Sequence, residues 1–103
     1  MIRQNESHQM WLALSVCAFE RCAAMEVSHR IFKLRARLLA ARGRASLFPE
    51  GHRTVVLIDY SLKILQIVHF TLVNEGGIFR QDHEFLNGME RWVSEYFHDV
   101  DNN

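Results

Sequence analysis

Thr54–Asn74 reads TVVLIDYSLKILQIVHFTLVN, an apolar run with neither glycine nor proline. Wound as a helix at about 100° per residue, it gathers Asp59, Lys63 and Gln66 into a narrow polar stripe. Val55, Leu57, Ile58, Leu62, Ile64, Leu65, Ile67, Val68 and Leu72 surround most of the remaining circumference. A helix apolar nearly all round is expected to be buried on several sides, so this run is predicted to be the central helix of an all-α domain. It is also long enough to span a bilayer. Against that reading, Asp59, Lys63, Gln66 and His69 interrupt it, and each mid-membrane charge costs about 2.5–3.5 kcal/mol on insertion scales. The expectation is a cytoplasmic protein without a membrane partner.

Upstream, Glu6–Arg42 contains no glycine or proline and is dominated by Ala, Leu, Glu, Arg and Met, so it reads as helix throughout. Asn5 or Ser7 can cap its start, and Gly43, flanked by Arg42 and Arg44, is expected to end it. Such a helix would span roughly 55 Å at about 1.5 Å per residue, whereas a compact domain of this size has a radius of gyration near 13 Å. It must break, with Val27–His29 the weakest point, or protrude and be shared with a partner. Gly43–Arg53, GRASLFPEGHR, is the connection. Pro49-Glu50-Gly51 supplies turn chemistry, and Leu47 and Phe48 are expected to fold back over the core.

Downstream, Gly76-Gly77 stops the central helix. Asp82 is the expected N-cap of a last helix, with Glu84 in its first turn. Phe85, Met89, Trp92 and Tyr96 recur as its apolar face, and Gly88 beside them would allow close approach of a neighbour. The prediction is one domain over 1–103, a small antiparallel bundle of three long helices (about 6–42, 54–74 and 83–98). A fourth would arise if the first helix breaks near 27–29.

The first helix carries two apolar stripes. Met10, Cys17, Ala24, Ile31 and Leu38 recur at sevenfold spacing, with Val27, Leu34 and Ala41 offset by three, an a/d-like seam. Trp11, Ala18, Met25, Phe32 and Leu39 form a second sevenfold row. Between them run Leu14, Arg21, Ser28, Arg35 and Arg42, mostly polar. One stripe suffices to dock a helix on its own core; a second needs another surface. A single broad core-facing stripe with snorkelling arginines is the alternative. The two-stripe reading makes Trp11, Ala18, Met25, Phe32, Arg35, Leu39 and Arg42 the candidate dimer- or partner-binding residues, and the protein a homodimer.

Chemistry is scarce. The 103 residues carry zero formal net charge and 49% hydrophobic residues, which argues against global attraction to nucleic acid. Basic residues concentrate between His29 and Arg53 and acidic ones after Gly76, as expected of solvated faces of opposite sign packed near one another. Arg30, Lys33, Arg37 and Arg44 share one face, as phosphate-contacting helices do. However, the eleven-residue connection into an apolar helix is unlike a helix–turn–helix. Glu26/His29 and Glu95/His98 have the Glu-x-x-His spacing of di-metal carboxylate bundles, but the central helix offers only Asp59 to complete such a site. Arg91 and His98 are spaced as in the motif of helical ribonucleases of the HEPN type, with Trp92 where a polar residue usually follows. His69 reads as a satisfied core histidine. Cys17 and Cys22 read as buried reduced thiols, and the N-terminus shows no clear signal peptide. No metal, cofactor or catalytic residue is expected.

These features predict a non-enzymatic regulator that binds and sequesters another protein. An immunity protein or secretion chaperone is one alternative; a helical HEPN-type ribonuclease, a metal-binding bundle or a nucleic-acid-binding helical dimer are others. Over Glu6–His98, in size and helical pattern, the chain resembles the small all-helical bacterial anti-activators of LuxR-type quorum-sensing regulators. That resemblance implies a dimer whose apolar helix faces occupy a transcriptional regulator and prevent its DNA binding. It transfers no individual residue.

Overall fold

The computed structural model describes the backbone of residues 2–96 and the side chains of residues 23–96. Three helices make up the fold, α1 (Ile2–Ala45), α2 (His52–Glu75) and α3 (Arg80–Tyr96), with a single 3-10 turn at Pro49–Gly51 and no strand among the described residues. α1 passes through Val27–His29 without a break, so the first helix does not divide into two. Gly43 does not stop it either: the helix continues to Ala45, and the Ser46 hydroxyl donates to the Gly43 carbonyl at 2.8 Å. A helical glycine costs only about 1 kcal/mol relative to alanine, less than the surrounding packing supplies. Asn5 and Ser7 lie inside the helix rather than at its cap.

α1 and α2 form an antiparallel hairpin, with Arg42 near the end of one beside Asp59 near the start of the other. α3 returns parallel to α1, pairing Arg30 with Glu90 and Arg37 with Ser94. The core is Val27, Ile31, Leu34, Leu38 and Ala41 of α1, Ile58, Leu65, Val68 and Leu72 of α2, and Leu86 and Val93 of α3. The described part of the first stripe, from Ala24 to Ala41, therefore packs into the core with the central helix, as its spacing predicts, while Met10 and Cys17 lie outside the residues with described side chains. At about 1.5 Å per residue, α1 is roughly 66 Å long and α2 roughly 36 Å, so the N-terminal part of α1 extends beyond the hairpin. The principal extents of 73 × 25 × 16 Å and radius of gyration of 19.1 Å reflect this.

Several local expectations are corrected. α2 is buried on one side only: Val56, Leu57, Tyr60, Ile64, Ile67, Phe70 and Val73 are exposed. Two helices against α2 can cover only one face, and α1 spends much of its length elsewhere. Leu47 and Phe48 do not plug the core but stand exposed, because the tight 46–51 connection keeps them on the outside of the turn. Within it, a Cβ on Gly51 would lie 2.0 Å from the Ala45 carbonyl oxygen, so this turn requires glycine. Gly76, in the left-handed region at φ 75°, ends α2 by donating its N–H to Leu72 O at 3.0 Å.

α3 starts at Arg80, earlier than expected, so Asp82 sits in the first turn instead of at the cap. Its carboxylate reaches back to accept the Phe79 N–H at 3.1 Å, the acidic half of a capping box. The buried line of α3 is Leu86 and Val93, flanked by partly buried Phe85, Met89 and Trp92; Tyr96 is exposed and its ring lies 5.7 Å from that of Trp92. Gly88 meets no neighbour, since a Cβ there would face open space.

Candidate interaction surface

Of the seven candidate residues, Met25, Phe32, Arg35, Leu39 and Arg42 fall in the region with described side chains; Trp11 and Ala18 lie outside it. Met25 is 73% exposed and Phe32 70%, and Leu39 is exposed as well. On the same helix, Leu34 and Leu38 are fully buried. Adjacent positions thus separate cleanly into a core stripe and a solvent-facing stripe.

The solvent-facing stripe borders a groove between α1 and α2, on the side of the hairpin away from α3. The groove has a volume of about 470 Å³ and is lined by Ser28, Ile31, Phe32, Arg35 and Leu39 of α1 and by Leu62, Lys63, Leu65, Gln66 and His69 of α2. Its floor is apolar and its walls are polar. His69 is exposed on this wall, correcting its expected place in the core, because the one-sided burial of α2 leaves its flank uncovered.

The two arginines between the stripes have different surroundings. Arg42 donates from Nε to Asp59 Oδ1 at 2.7 Å and from Nη2 to Oδ2 at 3.4 Å, and both side chains remain partly hydrated. Hydrogen bonding to Arg42 holds the Asp59 carboxyl below its ordinary pKa; burial opposes this and the charge of Arg42 reinforces it. Asp59 is thus engaged by Arg42 across the hairpin, a partner that the α2 sequence could not reveal. Lys63 lies 5.8 Å from the Tyr60 ring centroid. Arg35 stays exposed on the groove wall.

The expected basic face is divided. Arg30 is turned to α3, where it pairs with Glu90 and donates to Asn87 Oδ1 at 2.8 Å; the hydrogen bond to Glu90 raises its pKa. Arg37 donates to Ser94 Oγ at 3.0 Å. Basic and acidic segments therefore meet across the α1–α3 contact, leaving Lys33 and Arg44 exposed.

Glu26 and His29 are exposed on α1, and no group of three or more metal-ligating side chains occurs among the described residues. His98, of the Glu95/His98 and Arg91/His98 spacings, lies outside them, as do the side chains of Cys17 and Cys22.

A second exposed surface, missed in the sequence, is the outer face of α2. Val56, Tyr60, Ile67 and Phe70 recur at steps of four, seven and three residues, and Ile67 is 63% and Phe70 69% exposed. The signal is the all-round apolar character of the run, which periodicity alone reads as burial. By length and composition Pro49–Glu75 could cross a membrane, and only 22% of its most apolar window is buried. Comparison with protein-family models, with curated proteins and with solved structures finds no match.

Proposed function

We propose that this chain is a non-enzymatic cytoplasmic regulator that acts as a homodimer and sequesters a protein partner, such as a transcriptional regulator, in the manner of an anti-activator. One observation carries the reading: two helix faces, Met25/Phe32/Leu39 on α1 and Val56/Tyr60/Ile67/Phe70 on α2, present large apolar side chains to solvent. Contiguous exposed apolar surface of this kind marks interaction sites, and aromatic anchors such as Phe32, Tyr60 and Phe70 dominate binding energetics. The α1 face serves self-association and the α2 face engages the target. Immunity and secretion-chaperone roles use the same kind of surface and differ in the partner captured.

The test is affinity capture from the native host with the wild type and with Ile67→Asp. The expected result is a stoichiometric DNA-binding regulator held by the wild type and released by the variant, with the purified wild type abolishing that regulator's operator binding. Equal capture by both proteins, or a partner that still binds its operator, refutes the reading. Capture of a toxin or a secreted protein moves the assignment to one of the alternatives.

A second reading is favoured by the length and exposure of α2. A bilayer would cover its outer face, but would then have to accept Arg42, Asp59 and Lys63 or strip α1 away from Leu65 and Val68. Vesicle flotation decides: the chain is expected to remain with the soluble fraction, and co-flotation with neutral-lipid vesicles would establish the membrane reading.

A further inference from the structure

The outer face of α2 is a seam in heptad register. Val56, Tyr60, Ile67 and Phe70 leave one gap in an alternation of four- and three-residue steps, and Lys63 fills it; Asn74 extends the row by four more. All six are exposed. At about 100° per residue they lie on the side of the helix opposite its buried residues, Ile58, Leu65, Val68 and Leu72. Such alternation is the pattern by which one helix packs along another. From Val56 to Asn74 it runs roughly 27 Å at about 1.5 Å per residue.

The one charge in this seam decides what can cover it. Lys63 Nζ stands 5.8 Å from the Tyr60 ring centroid, so the ammonium lies along the seam. The carboxylate one turn before it, Asp59, is hydrogen-bonded to Arg42 across the hairpin, and Lys63 acts on it through charge alone. No seam position is acidic. A second copy therefore offers Lys63 no seam carboxylate in any register, and in the parallel one it sets lysine against lysine. A bilayer would have to take up an ammonium at the middle of the face, where a charge is most costly. Charge complementarity selects a helix that carries an acid of its own.

We infer that the outer face of α2 takes an amphipathic helix of the protein partner, about five turns long, apolar at its seam positions and carrying a glutamate or aspartate opposite Lys63. This rests on the reading of α2 as the target-binding face and specifies what that face recognises. The incoming helix covers Tyr60, Ile67 and Phe70, and its carboxylate pairs the lysine as water leaves. A lone polar position in an apolar seam fixes register and sorts partners at a cost in stability.

A synthetic peptide stands for that helix: three heptads with leucine at the seam positions and glutamate at one central position, set against twins with lysine or glutamine there. Fluorescence anisotropy with the full chain should show the glutamate peptide bound about tenfold or more tighter than the lysine peptide, and Ile67→Asp should abolish binding of both. Lys63→Glu, shown by circular dichroism to keep the wild-type fold, should invert the preference. Lys63→Gln, which adds no charge beside Asp59, should erase it. A wild type that binds none of the peptides, or binds the glutamate and lysine peptides alike, overturns the inference. So does binding that withstands Ile67→Asp, or a preference that withstands Lys63→Gln. The target-binding reading keeps its own test. A regulator captured by the wild type, released by Ile67→Asp and held equally by Lys63→Glu leaves α2 as the target face and removes the acidic helix. Co-flotation with vesicles and no peptide binding gives the face to a bilayer and overturns both.

Discussion

Replacing Phe32 with glutamate should dissociate the protein without unfolding it, whereas the same change at Leu34, two residues along the same helix, should unfold it. Phe32 is 70% exposed and Leu34 is 1% exposed. A phenylalanine side chain buries about 200 Å² when fully covered, so the chain itself covers about 60 Å² of Phe32. At about 25 cal/mol per Å² that is ~1.5 kcal/mol of folding stability, an upper figure given the compactness of unfolded chains. The uncovered remainder, about 140 Å², is worth ~3.5 kcal/mol per copy and ~7 kcal/mol per dimer on the same scale. Association and side-chain ordering offset much of that gross term, so losing it while desolvating two carboxylates removes the drive to pair. Leu34→Glu instead places a carboxylate in the apolar core, where an unpaired charge costs several kcal/mol of a total stability of about 5–15 kcal/mol. Size-exclusion chromatography with light scattering reads the association state, and circular dichroism melting reads the fold. The expected result is a helical monomer for Phe32→Glu and loss of cooperative melting for Leu34→Glu. A wild type that is monomeric at tens of micromolar, or a Phe32→Glu variant that unfolds like Leu34→Glu, would refute the separation of the two stripes.

Gly88→Ala should stabilise the protein by about 0.5–1 kcal/mol in urea unfolding, because the position is helical and a Cβ there meets nothing. Gly51→Ala should do the reverse, costing about 1–3 kcal/mol, since its Cβ would collide with the Ala45 carbonyl; a neutral result would show that the 46–51 turn adjusts freely. The Arg42–Asp59 pair makes stability depend on acid. The Asp59 carboxyl is lowered in the folded state, so its contribution is present above the ordinary carboxylate pKa of about 3.9 and is lost as pH falls through the lower folded value. The stability difference between wild type and Asp59→Asn should therefore be measurable at pH 7 and vanish in strong acid; a difference that persists there would place its origin outside the ion pair.

By itself the sequence determined the helices and one of their contacts. Uninterrupted helix formers from Glu6 to Arg42, the apolar run Thr54–Asn74 and the Gly76-Gly77 stop are local signals, and the sevenfold spacing of Ile31 and Leu38 already named the face that docks on α2. Exposure of Met25, Phe32 and Leu39 was legible for the same reason, since residues on one helix face share one fate. What lay beyond the sequence was how much of an apolar helix its neighbours would cover. Composition cannot report that α3 occupies one side of the hairpin and leaves the other bare, which keeps Ile67 and Phe70 in solvent and opens the groove beside His69. Nor could spacing along one helix reveal that Arg42 would find Asp59 or Arg30 would find Glu90. Those pairings join residues far apart in the chain, and tertiary packing alone sets the distance between them.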